Sequence, residues 1–562
     1  MAKGESQVST IRSRRRHRQH NDKANITIGG DSVRSSIRLL VRRTSSRVWE
    51  ERPQTPTGWI VLTSAVLSAV LGYELRLQKQ LTCPPYVFLG GSNCGNNNSS
   101  DNDSFDNDTM QRIYEILMSK EGILAQSVKP SLWVGTRATL SSSLSLVGGI
   151  SSESNCFRFR EILTMPLDGA KLALDWEVPY EDENNSSCKN SKEWVFSRPI
   201  RKPVVLILHG INNDSNSGYI RSLQRTLTIR SRIAIAMNFR GCGGVPLAAP
   251  RGYSGAYTND IRFVVHKLAS RLAPGVPLFL VGFSLGANLV TKFLGEEGLN
   301  GTLPSCVMGG ASLGNPLHIH SRNNLHFPYQ HLIGVGVKLH ILENWRVWKD
   351  ALVYPEIKRA MMTALMATTV DQIDEAIAPV LIRNQPYYPY QNSIGYESVE
   401  EFYADASSYR FIQHVSVPLL QIIAGDDKVV YHTFQKKLPH SILNPNVMCV
   451  ETKCGGHLGW QESPPPSNVA AENRFGGGPS WASRATADFI DAILETNNNQ
   501  RCLVRAVATC TAKMQSEQPQ RTGRAFEAWE QPGHPMRSST ESRSELPPPT
   551  RNNTVPILQS RL

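Results

Sequence analysis

Three short stretches carry side chains of the types, and in the order, that nucleophilic acyl chemistry needs. The first is Gly282-Phe283-Ser284-Leu285-Gly286. An apolar run over 277–281 precedes it and a helical pattern over 287–294 follows, the strand–turn–helix context of a nucleophile elbow. Such a turn strains its central residue and leaves no room for side chains beside it, which Gly282 and Gly286 satisfy. A serine hydroxyl at neutral pH needs a base, and that base needs an acid to orient it. For this elbow the chain order is serine, then acid, then histidine. After a strand pattern over 417–423 come Asp426 and Asp427, and after a second over 447–450 comes Gly455-Gly456-His457. His457 is the candidate base. Asp426 and Asp427 compete for the acid role; the Asp427-Lys428-Val429 spacing favours Asp427 and leaves Asp426 to cap the loop.

Acyl transfer also needs donors for a developing oxyanion. The N–H of Leu285, just after the nucleophile, is one candidate. The second is the N–H of Ile211, in the His209-Gly210-Ile211 stretch that ends the apolar run over 203–208. His209 and Asp214 also match H-x-x-x-x-D, an acyltransferase pattern, but at the oxyanion loop, where the match reads as coincidence. His318, His320 and His326 lack carboxylate or cysteine partners at metal spacing and read as cap residues, so neither metal nor cofactor is expected.

The elements that must position these loops follow from the apolar pattern. Residues 157–178 alternate around Asp168-Gly169 as a hairpin. Continuous apolar runs at 203–208, 233–238, 277–281, 306–310, 417–423 and 447–450 are separated by helical stretches at 258–272 and 287–294, with a closing helix over 483–494. That pattern predicts a mostly parallel sheet covered by helices on both faces. From about 316 to 409 the sequence turns helical and aromatic-rich, where a cap would be inserted.

With 562 residues and 40% hydrophobic composition, one large α/β domain with tails fits. The domain is expected over 113–497, after a basic disordered arm at 1–56 and a polar linker at 75–112, with a disordered tail at 498–562. The formal charge of +12 is concentrated before residue 57. No aromatic residues interleave with its arginines, which argues against a nucleic-acid partner. The uncharged run 58–73, between Arg52 and Arg76, predicts a transmembrane signal anchor over 57–74, with Trp59 and Tyr73 at its two interfaces. The more basic leading flank places the N-terminus in the cytosol and the domain across the membrane, in the endoplasmic reticulum or another endomembrane. N-x-[ST] tripeptides at Asn97, Asn98, Asn102, Asn107, Asn184 and Asn185 agree with a lumenal domain. The final Ser560-Arg561-Leu562 resembles a peroxisomal address and points elsewhere. The ten cysteines show no metal spacing. Cys306 and Cys449 read as buried thiols; Cys83 with Cys94, or Cys156 with Cys188, could pair in a lumenal domain.

Taken together, L-H-G-I, N-F-R-G-C-G-G, G-F-S-L-G-A-N and G-G-H-L-G-W resemble subfamily four of the AB hydrolase superfamily over roughly residues 115–495. That group includes YheT-type esterases, embryogenesis-associated proteins, yeast medium-chain ester synthase/esterases and membrane-anchored phospholipase-like members. The stretches 168–176 and 368–427 also resemble the family's entry hairpin and its cap-to-acid segment. The resemblance implies an α/β-hydrolase fold with Ser284, Asp427 and His457 as a charge-relay triad. Lys428 replaces the family's usual proline, and Ile211-Asn212-Asn213-Asp214 replaces its glycine-rich oxyanion loop. The expected function is membrane-anchored hydrolysis of acyl esters of lipids. Acyl transfer to an alcohol and an inactive lipid- or protein-binding homologue are the alternatives. The oligomeric state is left open.

Overall fold

The computed structural model describes residues 56–90, 104–146, 156–180, 192–248, 251–319, 325–352, 355–379, 396–430, 442–462 and 480–516. Their strands form one nine-stranded sheet, in the order β1-β9-β8-β7-β6-β4-β5-β3-β2. The six strands β4 (Val204–Leu208), β5 (Ile233–Asn238), β6 (Leu278–Phe283), β7 (Val307–Leu313), β8 (Leu419–Ala424) and β9 (Val447–Thr452) are mutually parallel. β2 (Cys156–Thr164) and β3 (Lys171–Pro179) form the expected hairpin, antiparallel to β5 at one edge.

The central strands are apolar at every position because each feeds two cores. Val204, Leu206 and Leu208 pack on one face with Ile235, Met237, Leu278 and Leu280. Val205 and Ile207 pack on the other with Ala234, Ala236, Phe279 and Val281. Each fully buried side chain of this size contributes about 1.5–3 kcal/mol. After the short helix α4 (Lys192–Phe196), helices α5 (Gly218–Ile229), α6 (Asn259–Ala269) and α7 (Leu285–Asn300) run between these strands. The inserted cap comprises α8 (Tyr329–Glu343), α9 (Trp345–Ala351), α10 (Pro355–Met366), α11 (Val370–Ile377) and α12 (Val399–Ala406), between β7 and β8.

Three features depart from the expected boundaries. The stretch 75–112 is not simply a linker. Its residues Tyr86–Leu89 form β1, antiparallel to β9 at the second edge of the sheet, and α2 (Ser104–Leu117) begins before 113. The run preceding it is α1 (Pro56–Leu81), a continuous helix that extends past 74 and whose Glu74 and Gln78 are buried against the domain. Taken over the described residues, no helix is long and apolar enough to cross a membrane. Past Tyr73, α1 carries Glu74, Arg76 and Lys79. At the other end, α13 (Trp481–Ser516) continues well beyond the expected limit of 497, although the compact unit ends at Asn499. The arm before Pro56 lies outside the described residues, as do 517–562.

Cys83, Cys156, Cys242, Cys306, Cys449 and Cys454 are free thiols; Cys449 is buried on β9 as expected, whereas Cys306, just before β7, is only half-buried. Cys94 and Cys188, the proposed pairing partners, lie outside the described residues.

Candidate active site

Ser284 joins β6 to α7 with φ 52° and ψ −115°, a conformation that L-residues rarely adopt. The turn is tight on both sides. A Cβ on Gly282 would run into the Gly286 carbonyl, and one on Gly286 would lie 2.5 Å from the Leu208 oxygen and 2.6 Å from that of His209. Gly286 is therefore where the elbow presses on the end of β4. Gly286→Ala should cost about 1–3 kcal/mol and lower turnover at least tenfold, because backbone, not a flexible side chain, must yield. Thermal melting with an ester assay checks both.

His457 Nε2 lies 2.9 Å from Ser284 Oγ, and its Nδ1 lies 2.8 Å from Asp427 Oδ2. A carboxylate only accepts, so Nδ1 carries the proton and Nε2 faces the serine as an acceptor. Asp427 is buried, and its Oδ1 accepts the N–H groups of Val429 and Val430 at 2.8 and 3.2 Å, which fixes the carboxylate plane. Asp426 points elsewhere: its Oδ1 accepts the Gly456 N–H at 2.8 Å. Burial pushes its pKa up to about 6. The two neighbouring acids thus have separate positions, one on the imidazole and one bracing the loop that carries it.

That loop turns at Gly456, with φ 60°, where a Cβ would lie 2.5 Å from the Ala138 carbonyl. Behind it stands α3 (Ala138–Leu146), whose Ser141, Ser142 and Ser145 are buried. Ser142 Oγ accepts the His457 N–H at 2.6 Å, and Ser141 Oγ donates to the Gly455 carbonyl at 2.8 Å. Sequence reasoning passed over this Ser-rich stretch, because serines in a row signal a loop unless something polar is known to face them.

Leu285 is the first residue of α7, and its N–H has no acceptor within the helix. On the facing loop, the Gly210 N–H is committed to Tyr219 Oη at 2.9 Å and the Asn212 N–H to Tyr253 Oη at 3.1 Å. The intervening Ile211 N–H makes no hydrogen bond among the described residues. His209, fully enclosed, lies between backbone groups. Its Nε2 accepts the Phe239 N–H at 3.2 Å, so its Nδ1–H donates to the Gly210 carbonyl at 2.7 Å. Burial lowers its pKa to about 4, and it stays neutral. Because that carbonyl and the Ile211 N–H belong to one trans peptide, holding the first aims the second the opposite way. The apparent H-x-x-x-x-D match is thus a backbone brace.

A second residue that the sequence did not single out ties cap to elbow. Asn288, one turn into α7 and fully buried, donates to the Gly255 and Ala406 carbonyls at 3.2 and 2.6 Å and accepts the Ser408 N–H at 3.1 Å. One turn on, the buried Lys292 pairs with Asp405 at 2.7 Å. Both anchor the end of α12.

Ser284 and His457 open into a cavity of about 550 Å³ under the cap. Its walls are mainly apolar, among them Leu325, Ile333, Val337, Ile341, Met361 and Phe402. The exceptions include Asp371 and Asp374 on α11; Tyr403 Oη donates to Asp374 Oδ2 at 2.8 Å. Asp374 is half-buried, and burial together with the like charges of Asp371 and Glu375 pushes its pKa up to about 7. Between about pH 4 and 7 the folded chain therefore holds a proton that the unfolded chain has released, so this group's contribution to stability falls as pH rises through that window. Asp374→Asn keeps an acceptor for Tyr403. It should leave stability unchanged near pH 4 and raise it by on the order of 1–2 kcal/mol at pH 8, cavity water screening part of the full shift. Denaturant melts at the two pH values measure this.

Among the described residues no three His, Cys, Asp or Glu side chains gather where a metal ion could be held. His318 stacks edge-on against Tyr409 at the cap's entry, and His326 donates its N–H to the Val429 carbonyl. His320 lies outside the described residues.

A parallel sheet with an elbow serine, an acid after β8 and a histidine after β9 defines an α/β-hydrolase fold. Residues 204–472, which include all three, match the model of an alpha/beta hydrolase family. The chain is 27% identical over 358 residues to the embryogenesis-associated protein EMB8 of Picea glauca, an alignment spanning 62% of this chain and 69% of the relative. It is 30% identical over 267 residues to a monoacylglycerol lipase of Saccharomyces cerevisiae, spanning 46% and 55% of the two chains. It is 25% identical over 347 residues to the phospholipase ABHD3 of Mus musculus, spanning 60% and 72%. These matches, with the fold and the order of the three loops, support membership of the α/β-hydrolase superfamily and a carboxylic ester hydrolase activity.

Proposed function

We propose that this chain is a membrane-anchored serine hydrolase that cleaves acyl esters of lipids through an acyl-enzyme on Ser284. The observation that carries the reading is the Asp427–His457–Ser284 hydrogen-bond chain opening on a largely apolar cavity. Ser284 Oγ attacks the ester carbonyl carbon while its proton passes to His457 Nε2, and Asp427 stabilises the imidazolium. The N–H groups of Leu285 and Ile211 hold the oxyanion. Collapse expels the alcohol, which takes the proton from His457. Water then repeats the sequence on the acyl-enzyme and releases the acid.

The names of the relatives, a monoacylglycerol lipase and a phospholipase, support a lipid ester as substrate. Membrane attachment rests on α1. Its residues 57–73 carry no charge and span about 25 Å at helical rise, close to a bilayer core of about 30 Å. The basic excess before them favours a cytosolic N-terminus and a domain on the far side of an endomembrane. The test is hydrolysis of phospholipid, monoacylglycerol and medium-chain ethyl esters by the vesicle-reconstituted chain, with fluorophosphonate labelling alongside. Turnover of at least one lipid class with labelling at Ser284 is the expected result. Turnover of none, without labelling, overturns the proposal, and ester formation on adding an alcohol would mark a transferase.

A further inference from the structure

We infer that the rim of the active-site cavity is itself a bilayer-docking surface, formed on one bank by α3 and on the other by the outer stripe of α8. The inference rests on the membrane reading of α1 and extends it to the hydrolase domain.

The argument begins at the root of α1. From residue 63 to 73 this helix is exposed around its whole circumference, with Val66, Leu67, Val70 and Leu71 among its exposed large apolar side chains. An exposed helix with no charged side chain on any face lacks the usual solvated face, and lipid is the environment that suits it. From Glu74 onward one face of the helix, Glu74 and Gln78, is buried against the domain while Leu75, Arg76 and Lys79 stay exposed. The Glu74 carboxylate is fully buried, accepts from Thr136 Oγ1 at 2.9 Å and pairs with Arg137, while Gln78 Nε2 donates to the Pro130 carbonyl at 2.7 Å. No slack segment lies between the apolar run and the domain. Wherever the run enters lipid, the surface around residues 130–137 lies at the lipid headgroups.

The next residue after Arg137 begins α3, which exposes Leu140, Leu144 and Leu146. Thr139, one residue into that helix, receives a hydrogen bond from Tyr329 at the start of α8. α8 in turn exposes Leu332, Val335, Leu339 and Leu342, which fall within an arc of about 80° on its surface. Leu146 and Leu332 belong to both surfaces: they are 48% and 61% exposed, and they line the cavity. They mark where the cavity meets the outside. The two apolar banks are therefore continuous with the root of α1 and flank the cavity mouth. Contiguous exposed apolar surface of this kind marks an interaction site, and the adjoining helix selects the bilayer as its occupant. A lipid ester would then enter from the membrane without crossing water.

The test uses the full chain in phosphatidylcholine vesicles containing a phosphatidylcholine with a diazirine in its acyl chain. Ser284 is first blocked with a long-chain alkyl fluorophosphonate, so that the cavity is occupied. After photolysis, label in 56–81 together with Leu140, Leu144, Val335, Leu339 or Leu342 is the expected pattern. Label confined to 56–81 overturns the docking proposal, including the case in which a second copy of the chain covers the rim. Label in neither region overturns the membrane reading beneath it. Val335→Asp with Leu339→Asp, neither of which lines the cavity, should lower turnover of a vesicle-embedded ester at least tenfold. Turnover of a soluble short-chain ester should stay within twofold. Equal rates on the embedded ester for variant and wild type overturn the proposal.

Discussion

Ser284→Ala should remove essentially all ester turnover, by about 10⁴–10⁶-fold in kcat, while leaving the fold in place. The size of the effect follows from the geometry. Ser284 Oγ is the hydroxyl within 2.9 Å of His457 Nε2, and without it the imidazole has no proton to take and the substrate no covalent partner. The fold should tolerate the change because the elbow is shaped by its glycines and not by the serine side chain. Alanine keeps the Cβ that already packs 3.3 Å from where a Gly210 Cβ would sit, so no cavity opens. One hydrogen bond to a partly accessible group is lost, worth about 1 kcal/mol. Parallel measurement of lipid-ester hydrolysis, fluorophosphonate labelling and melting temperature checks the prediction. A variant that keeps more than a few per cent of wild-type turnover would remove Ser284 from the chemistry. A variant that melts far below wild type would show that the elbow depends on the hydroxyl.

What could be read beforehand, and what could not, divides along physical lines. The parallel strands were legible because burial on both faces forces unbroken apolar runs, as at Val204–Leu208, where alternate residues enter opposite cores. The order of the serine, acid and histidine loops was legible because each follows directly on such a run. β1 was not. It has four residues, starts after Pro84-Pro85 and is followed by Gly90-Gly91, so its pattern is that of a linker; pairing with β9 alone makes it a strand. The bracing of the histidine loop by Ser141 and Ser142 was hidden for a related reason. Their value lies in backbone groups more than 300 residues away in the chain, namely the N–H of His457 and the carbonyl of Gly455. Asn288 and Lys292 share that character, since their partners on the cap come from 405–408. Local pattern reveals what a residue's own segment must be. It says little about which distant backbone group a polar side chain will satisfy.

The two adjacent aspartates show how large a functional difference can rest on one position. Asp427→Asn should lower kcat by about 10⁴-fold, whereas Asp426→Asn should change it only a fewfold. At 427 the amide oxygen would remain with the Val429 and Val430 N–H groups, which now bond Oδ1, and the NH₂ would then face His457 Nδ1. Two donors cannot share that 2.8 Å contact. The imidazole must move its proton to Nε2, and in that tautomer it cannot accept one from Ser284. At 426 the exchange is mild: an amide oxygen accepts the Gly456 N–H as well as the carboxylate does, and the loop keeps its brace. Burial already holds the Asp426 carboxyl near pKa 6, so replacing it with a neutral amide removes a desolvated charge at pH 8. The substitution should therefore leave stability there unchanged or slightly raised. Steady-state kinetics of the two variants on one soluble ester decide the matter, because the ratio of their rates is insensitive to how the protein sits on a membrane. A ratio near 10³ or above assigns the orienting acid to Asp427, and the reverse order would place it at Asp426 and require the loop to rearrange before catalysis.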